Sequence, residues 1–77
     1  MNKSELEKRL EQERAEKSAY SLEGGFPNEA FVLNQNGNQW EVYYSERGQK
    51  SGLVIFDNEN DACEYLYRDL KRFVIKS

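Results

Sequence analysis

An α+β fold follows from three features of this 77-residue chain. Its opening stretch, Glu5 to Ala19, holds no glycine, proline or β-branched residue and reads as helix. Its middle alternates apolar and polar side chains on either side of an Asn36-Gly37 turn signal, and its last segment repeats apolar residues at helical spacing. The predicted order is helix, three-stranded antiparallel sheet, helix, with both helices on one sheet face, in a single domain over residues 1–77. The first helix is expected over about 4–21, the sheet over about 30–56 and the second helix over about 58–75.

Ser4-Glu5-Leu6-Glu7 has the Ser-x-x-Glu form of a capping box, in which a hydroxyl and a carboxylate each satisfy an orphan backbone N–H. Leu6 and Leu10 share one face of the helix that follows, and Ala15 and Ala19 continue it loosely. This predicts a solvated helix docked by a narrow seam, since a coiled coil needs sustained heptads. Leu22-Glu23-Gly24-Gly25-Phe26-Pro27 ends it, two glycines permitting left-handed backbone ahead of a proline. The glycine pair is no phosphate loop: no Gly-Lys-Ser/Thr follows and no strand precedes it.

Ala30-Phe31-Val32-Leu33 opens the sheet. With Asn36-Gly37 as a two-residue loop, Gln35 faces Asn38, Leu33 faces Trp40 and Phe31 faces Val42. Phe31, Leu33, Trp40, Val42 and Tyr44 then share a buried face, which a one-residue slip would scatter. Val32, Glu41 and Tyr43 go to the other face, expected to be wet. Trp40 is read as a core residue, so that Trp40→Ala is expected to unfold the domain. Glu46 to Gly52 reads as a longer hairpin loop with glycines where unusual backbone angles are needed, and Leu53-Val54-Ile55-Phe56 as the returning strand. Asp57-Asn58-Glu59-Asn60-Asp61 supplies a cap and first-turn acids for the second helix, whose apolar stripe is Cys63, Leu66, Leu70 and Phe73, flanked by Tyr67 and Val74. Arg68, Lys71, Arg72 and Lys76 crowd its negative end.

A domain this small buries only roughly 60–65% of its unfolded surface, so the core must be thin. Ten aromatic residues nevertheless argue against disorder. No apolar run approaches the ~20 residues of a membrane span, no secretory signal opens the chain, and a lone Cys63 forms no internal disulfide. These point to a reducing cytoplasm and away from membranes.

The chain has no histidine, which removes the commonest general base and leaves Cys63 without an activating partner. Cys63 on an apolar stripe is read as a packed thiol. Glu41 and Glu46 as a glycosidase pair would sit on an open sheet with no cleft-forming mass around them. Asp57, Glu59, Asp61 and Glu64 lack the spacing of a calcium loop and serve as capping acids. The expectation is a protein without enzymatic activity, metal or cofactor.

Charge is distributed unevenly. Residues 41–64 carry Glu41, Glu46, Asp57, Glu59, Asp61 and Glu64 against Arg47 and Lys50, whereas residues 65–77 reverse the sign. The acidic middle suits a basic protein partner, with Tyr43, Tyr44, Glu46 and Arg47 combining the aromatic and charged groups favoured at interfaces. The same element order is that of double-stranded-RNA-binding domains, but those place lysines at the start of the second helix, where this chain has Asn58-Glu59-Asn60-Asp61. Nucleic-acid binding is therefore the alternative reading. A homodimer pairing through Val32 and Tyr43 is another.

Trp40-Glu41-Val42-Tyr43-Tyr44-Ser45-Glu46-Arg47-Gly48, with Phe56, Glu59 and Ala62-Cys63-Glu64-Tyr65-Leu66, resembles the small α+β immunity proteins that accompany bacterial polymorphic toxins. The resemblance spans residues 40–66. It implies a stoichiometric inhibitor that blocks a cognate toxin, often a nuclease. Glu46, Asp57, Glu59 and Asp61 would then answer the toxin's basic cleft, with Tyr43 and Tyr44 as anchors and Arg47 beside them.

Overall fold

The computed structural model describes residues 1–74. Its elements are α1 (Lys3–Gln12), a short 3-10 turn (Lys17–Ala19), β1 (Tyr20–Ser21), β2 (Ala30–Asn36), β3 (Gln39–Glu46), β4 (Gln49–Phe56) and α2 (Glu59–Phe73). The fold is α+β, with a four-stranded mixed sheet in the order β1-β2-β3-β4. The three antiparallel strands occupy the expected 30–56, and β1 adds a short parallel pairing, Tyr20 opposite Phe31 and Ser21 opposite Val32.

Helix α1 is capped two residues earlier than Ser4 implies. The Asn2 side chain accepts from the Glu5 N–H at 2.8 Å and the Glu5 carboxylate accepts from the Asn2 N–H at 3.0 Å, completing a capping box. The helix also stops well short of residue 21. Arg14 takes φ 58, the Ala15 N–H reaches back to the Leu10 carbonyl at 2.9 Å, and the Arg14 N–H to that of Glu11 at 3.1 Å. These two bonds define a Schellman motif, here built on an arginine where glycine is usual. The turn brings Ala15 into the core beside Leu10.

The β2–β3 loop is Gly37-Asn38, since Asn36 pairs with Gln39. Leu33 therefore faces Val42 and Phe31 faces Tyr44, two positions from the expected register. An even shift leaves every side chain on its predicted face. The second hairpin is tighter than expected: Glu46 pairs with Gln49 around Arg47-Gly48, both at positive φ, as a type I′ turn requires. The extra length is absorbed inside β4. Val42 faces Val54 but Tyr44 faces Ser51, so Tyr43 lies opposite two residues, Gly52 and Leu53, with Gly52 at φ 63.

Helix α2 lies on the Leu33–Val42 face of the sheet, and α1 packs against α2. The Glu59 carboxylate accepts from the Lys3 N–H at 2.7 Å, and the Tyr67 hydroxyl donates to Glu13. The two helices thus run side by side in the same direction, tied at both ends. Leu6, Leu10, Leu33, Val42, Cys63, Leu66 and Leu70 form the fully buried centre. Trp40, expected within the core, is half-buried at its margin. Phe73, expected on the buried stripe, is 62% exposed and stacks on Phe31 with ring centroids 6.1 Å apart. The expected last helical residue, Ile75, lies outside the described residues, as does Lys76.

The opposite sheet face is covered over β2 and β3, not wet as expected, and stays open at Leu53 and Ile55 of β4. The Gly24 N–H bonds the Leu33 carbonyl at 3.0 Å along the edge of β2. The chain then crosses the sheet, Gly25 accepting from the Tyr43 hydroxyl and Phe26 reaching Lys50. Ala30, Val32, Tyr43 and Ser45 are buried beneath it. A Cβ on Gly24 would come within 2.4 Å of the Asn34 Oδ1, so this crossing needs glycine there. Among the described residues, no helix is long and apolar enough to cross a membrane.

Candidate functional site

The seven residues singled out for binding fall into separate places. Glu46 and Arg47 form the exposed tip of the second hairpin. Asp57, Glu59 and Asp61 stand at the start of α2, past the other end of β4. Eight strand residues at about 3.3 Å each put roughly 25 Å between the two groups. They do not form one patch.

Tyr43 is 2% exposed, and its hydroxyl donates to the Gly25 carbonyl at 2.7 Å. Burial chiefly, then the charge of Glu41, pushes its phenol above the usual pKa. It is a structural tyrosine that pins the covering loop and offers no anchor to a partner. Tyr44 points the other way and keeps partial access. Its ring meets Phe31 edge-on at 5.0 Å, and with Phe31, Phe73, Val74, Ala19 and Glu29 it lines an open cleft of about 420 Å³. A second cleft, about 200 Å³, lies on the far side of Tyr44 toward Tyr65 and Asp69.

The acids of α2 are partly occupied inside the protein. Asn58 caps the helix by accepting from the Asp61 N–H at 2.8 Å while donating to the Asp61 carboxylate at 3.1 Å. Glu59 is half-buried and satisfies an orphan N–H of α1. Asp57 is exposed, and neither it nor Glu46 is ion-paired among the described residues. No three His, Cys, Asp or Glu side chains converge as metal ligands would among the described residues. Cys63 is fully buried, and burial first, with the Glu59 carboxylate second, pushes its thiol up to about 11.

One polar cluster was not legible from the sequence. Glu41 is only 7% exposed, yet it accepts from the side-chain amides of Asn34 at 3.0 Å and Asn36 at 3.5 Å and pairs with the Lys50 ammonium at 3.6 Å. The hydrogen bond from Asn34 is the main cause holding its pKa below the usual glutamate value. Lys50 and Asn36 assist, against the opposing effect of burial. The Lys50 ammonium also lies 4.7 Å from the Tyr43 ring centre and 5.6 Å from that of Phe26. The signal was the direct pairing of Asn34 with Glu41, which the shifted register had hidden. This cluster fastens the covering loop to the sheet.

Compared with known proteins, the chain matches no family model, no curated protein and no solved structure.

Proposed function

We propose that this chain is a non-catalytic protein-binding module of the immunity type, which occupies the basic surface of a cognate bacterial toxin in the cytoplasm. The observation that carries this reading is that Glu46 and Asp57 stand exposed and without ion pairs among the described residues. Carboxylates so placed steer a basic partner during encounter. The open aromatic cleft beside Tyr44 supplies the apolar contact area that charge alone does not. Because the two acidic positions lie at opposite ends of β4, the partner engages the hairpin tip with Tyr44 and Arg47, or the α2 start with Asp57 and Asp61.

Capture by tagged protein from the native lysate, with and without nuclease, tests the reading. Retention of one basic protein in stoichiometric amount after nuclease supports it. Glu46→Lys and Asp57→Lys, made separately, then identify the contact, since reversal at the true site slows association and weakens its salt dependence. Release of nucleic acid with no protein left on the beads would overturn it in favour of an RNA-binding module.

A further inference from the structure

Strand β4 ends the sheet, so its outer edge carries backbone N–H and C=O groups that no strand among the described residues receives. Proteins blunt such edges with charges, prolines and bulges, and β4 uses these only in its first half, at Lys50 and at the Gly52 bulge. From Ser51 to Phe56 it carries no charge and no proline. Leu53 and Ile55, two apart and therefore on the same face, are 45% and 51% exposed.

We propose that two copies of this chain associate through β4, pairing antiparallel about a twofold axis at Val54 to form one continuous sheet. The hydrogen-bonding phase of the strand permits this register. The Arg47-Gly48 turn closes on Glu46 and Gln49, and counting by twos back along β3 gives Val42 with Val54 and Trp40 with Phe56 as the pairs that exchange bonds. Ile55 and Leu53, flanking Val54, thus aim their backbone groups outward. A twofold at Val54 sets Ile55 opposite Leu53 of the second copy, and Leu53 opposite its Ile55, so that both outward-bonding pairs are met at once. The two exposed large apolar side chains of the strand then cover one another.

Charge agrees with this register. Ser51 falls opposite Asp57 of the second copy and Lys50 opposite its Asn58, so no like charges are opposed. A partner strand of other sequence would meet the same edge, but only a copy of this chain satisfies the pairing symmetrically. The edge also replaces the face as the route to self-association, because Val32 and Tyr43 lie beneath the loop that crosses them.

Sedimentation equilibrium of the full chain over a wide concentration range tests the proposal, with a mass approaching twice 9.1 kDa expected at the upper end. Ile55→Lys, at an exposed position, should keep the wild-type circular-dichroism melt and weaken association by about tenfold or more. Val54→Cys should form a covalent dimer on oxidation, since directly opposed residues of a non-hydrogen-bonded pair stand about 4.5 Å apart at Cα, within disulfide reach. The buried Cys63 does not compete. A mass of one chain at every concentration would overturn the proposal, as would a dimer that Ile55→Lys leaves equally tight and Val54→Cys does not cross-link.

Discussion

The Tyr43 hydroxyl donates to the Gly25 carbonyl across 2.7 Å, joining the middle of the central strand to a loop residue eighteen positions earlier. This bond, with the Lys50 ammonium lying over the Tyr43 and Phe26 rings, converts a stretch of irregular backbone into the lid of a second small core. Tyr43→Phe removes the donor and leaves the ring in place. It should cost about 1 kcal/mol in urea unfolding with an unchanged m-value. Amide exchange at Gly24, whose N–H bonds the Leu33 carbonyl, should speed up more than exchange in α2.

Arg14 holds φ 58 at the end of α1, a left-handed conformation that disfavours a residue with a Cβ by roughly 1–2 kcal/mol. Arg14→Gly relieves that penalty and loses part of the gain to the greater freedom of the unfolded chain. The net should be a stabilisation of about 0.5–1 kcal/mol, read as a higher urea midpoint at the same m-value. A lower midpoint would mean that the arginine side chain contributes more than its backbone strain removes.

Leu66 and Trp40 should separate in the opposite order to their size. Leu66 is fully buried between α2 and the sheet, so Leu66→Ala opens a cavity at the centre and should cost about 2–5 kcal/mol. Trp40 is half-buried and packs only at the margin, so Trp40→Ala should leave a cooperative melt at a lowered temperature. Thermal melts of the two variants side by side check the order.

These residues also mark what could be read from the chain. Alternation along β3 assigned every large side chain to its sheet face, because period two is a property of the strand itself. It could not fix which residue pairs with which: Leu33 meets Val42 and not Trp40, and a two-residue shift leaves the pattern unchanged. The helical stripe of Cys63, Leu66 and Leu70, and a cap within residues 57–61, were legible for the same local reason. Three things were not. The end of α1 rests on a non-glycine left-handed residue, which propensity does not announce. The burial of Val32 and Tyr43 rests on a loop folding back, foreshadowed only by Gly24-Gly25. The separation of Glu46 from Asp57 rests on the length of β4, which begins at Gln49 and not at Leu53.

Glu41 makes stability depend on pH with a definite sign. Its folded pKa is depressed, chiefly by the Asn34 amide and with help from Lys50, so in the window below the ordinary glutamate value of about 4.3 the unfolded chain binds the proton more readily. The stabilisation is therefore complete above that value and is lost as pH falls through the folded pKa. Glu41→Gln keeps an acceptor for Asn34 but removes the charge that faces Lys50 at 3.6 Å. Urea unfolding across the acid range should show wild type ahead of Glu41→Gln at neutral pH, with the gap closing as the carboxylate protonates. A gap that stays constant down to strongly acid conditions would assign the effect to packing beneath the loop and not to the charge.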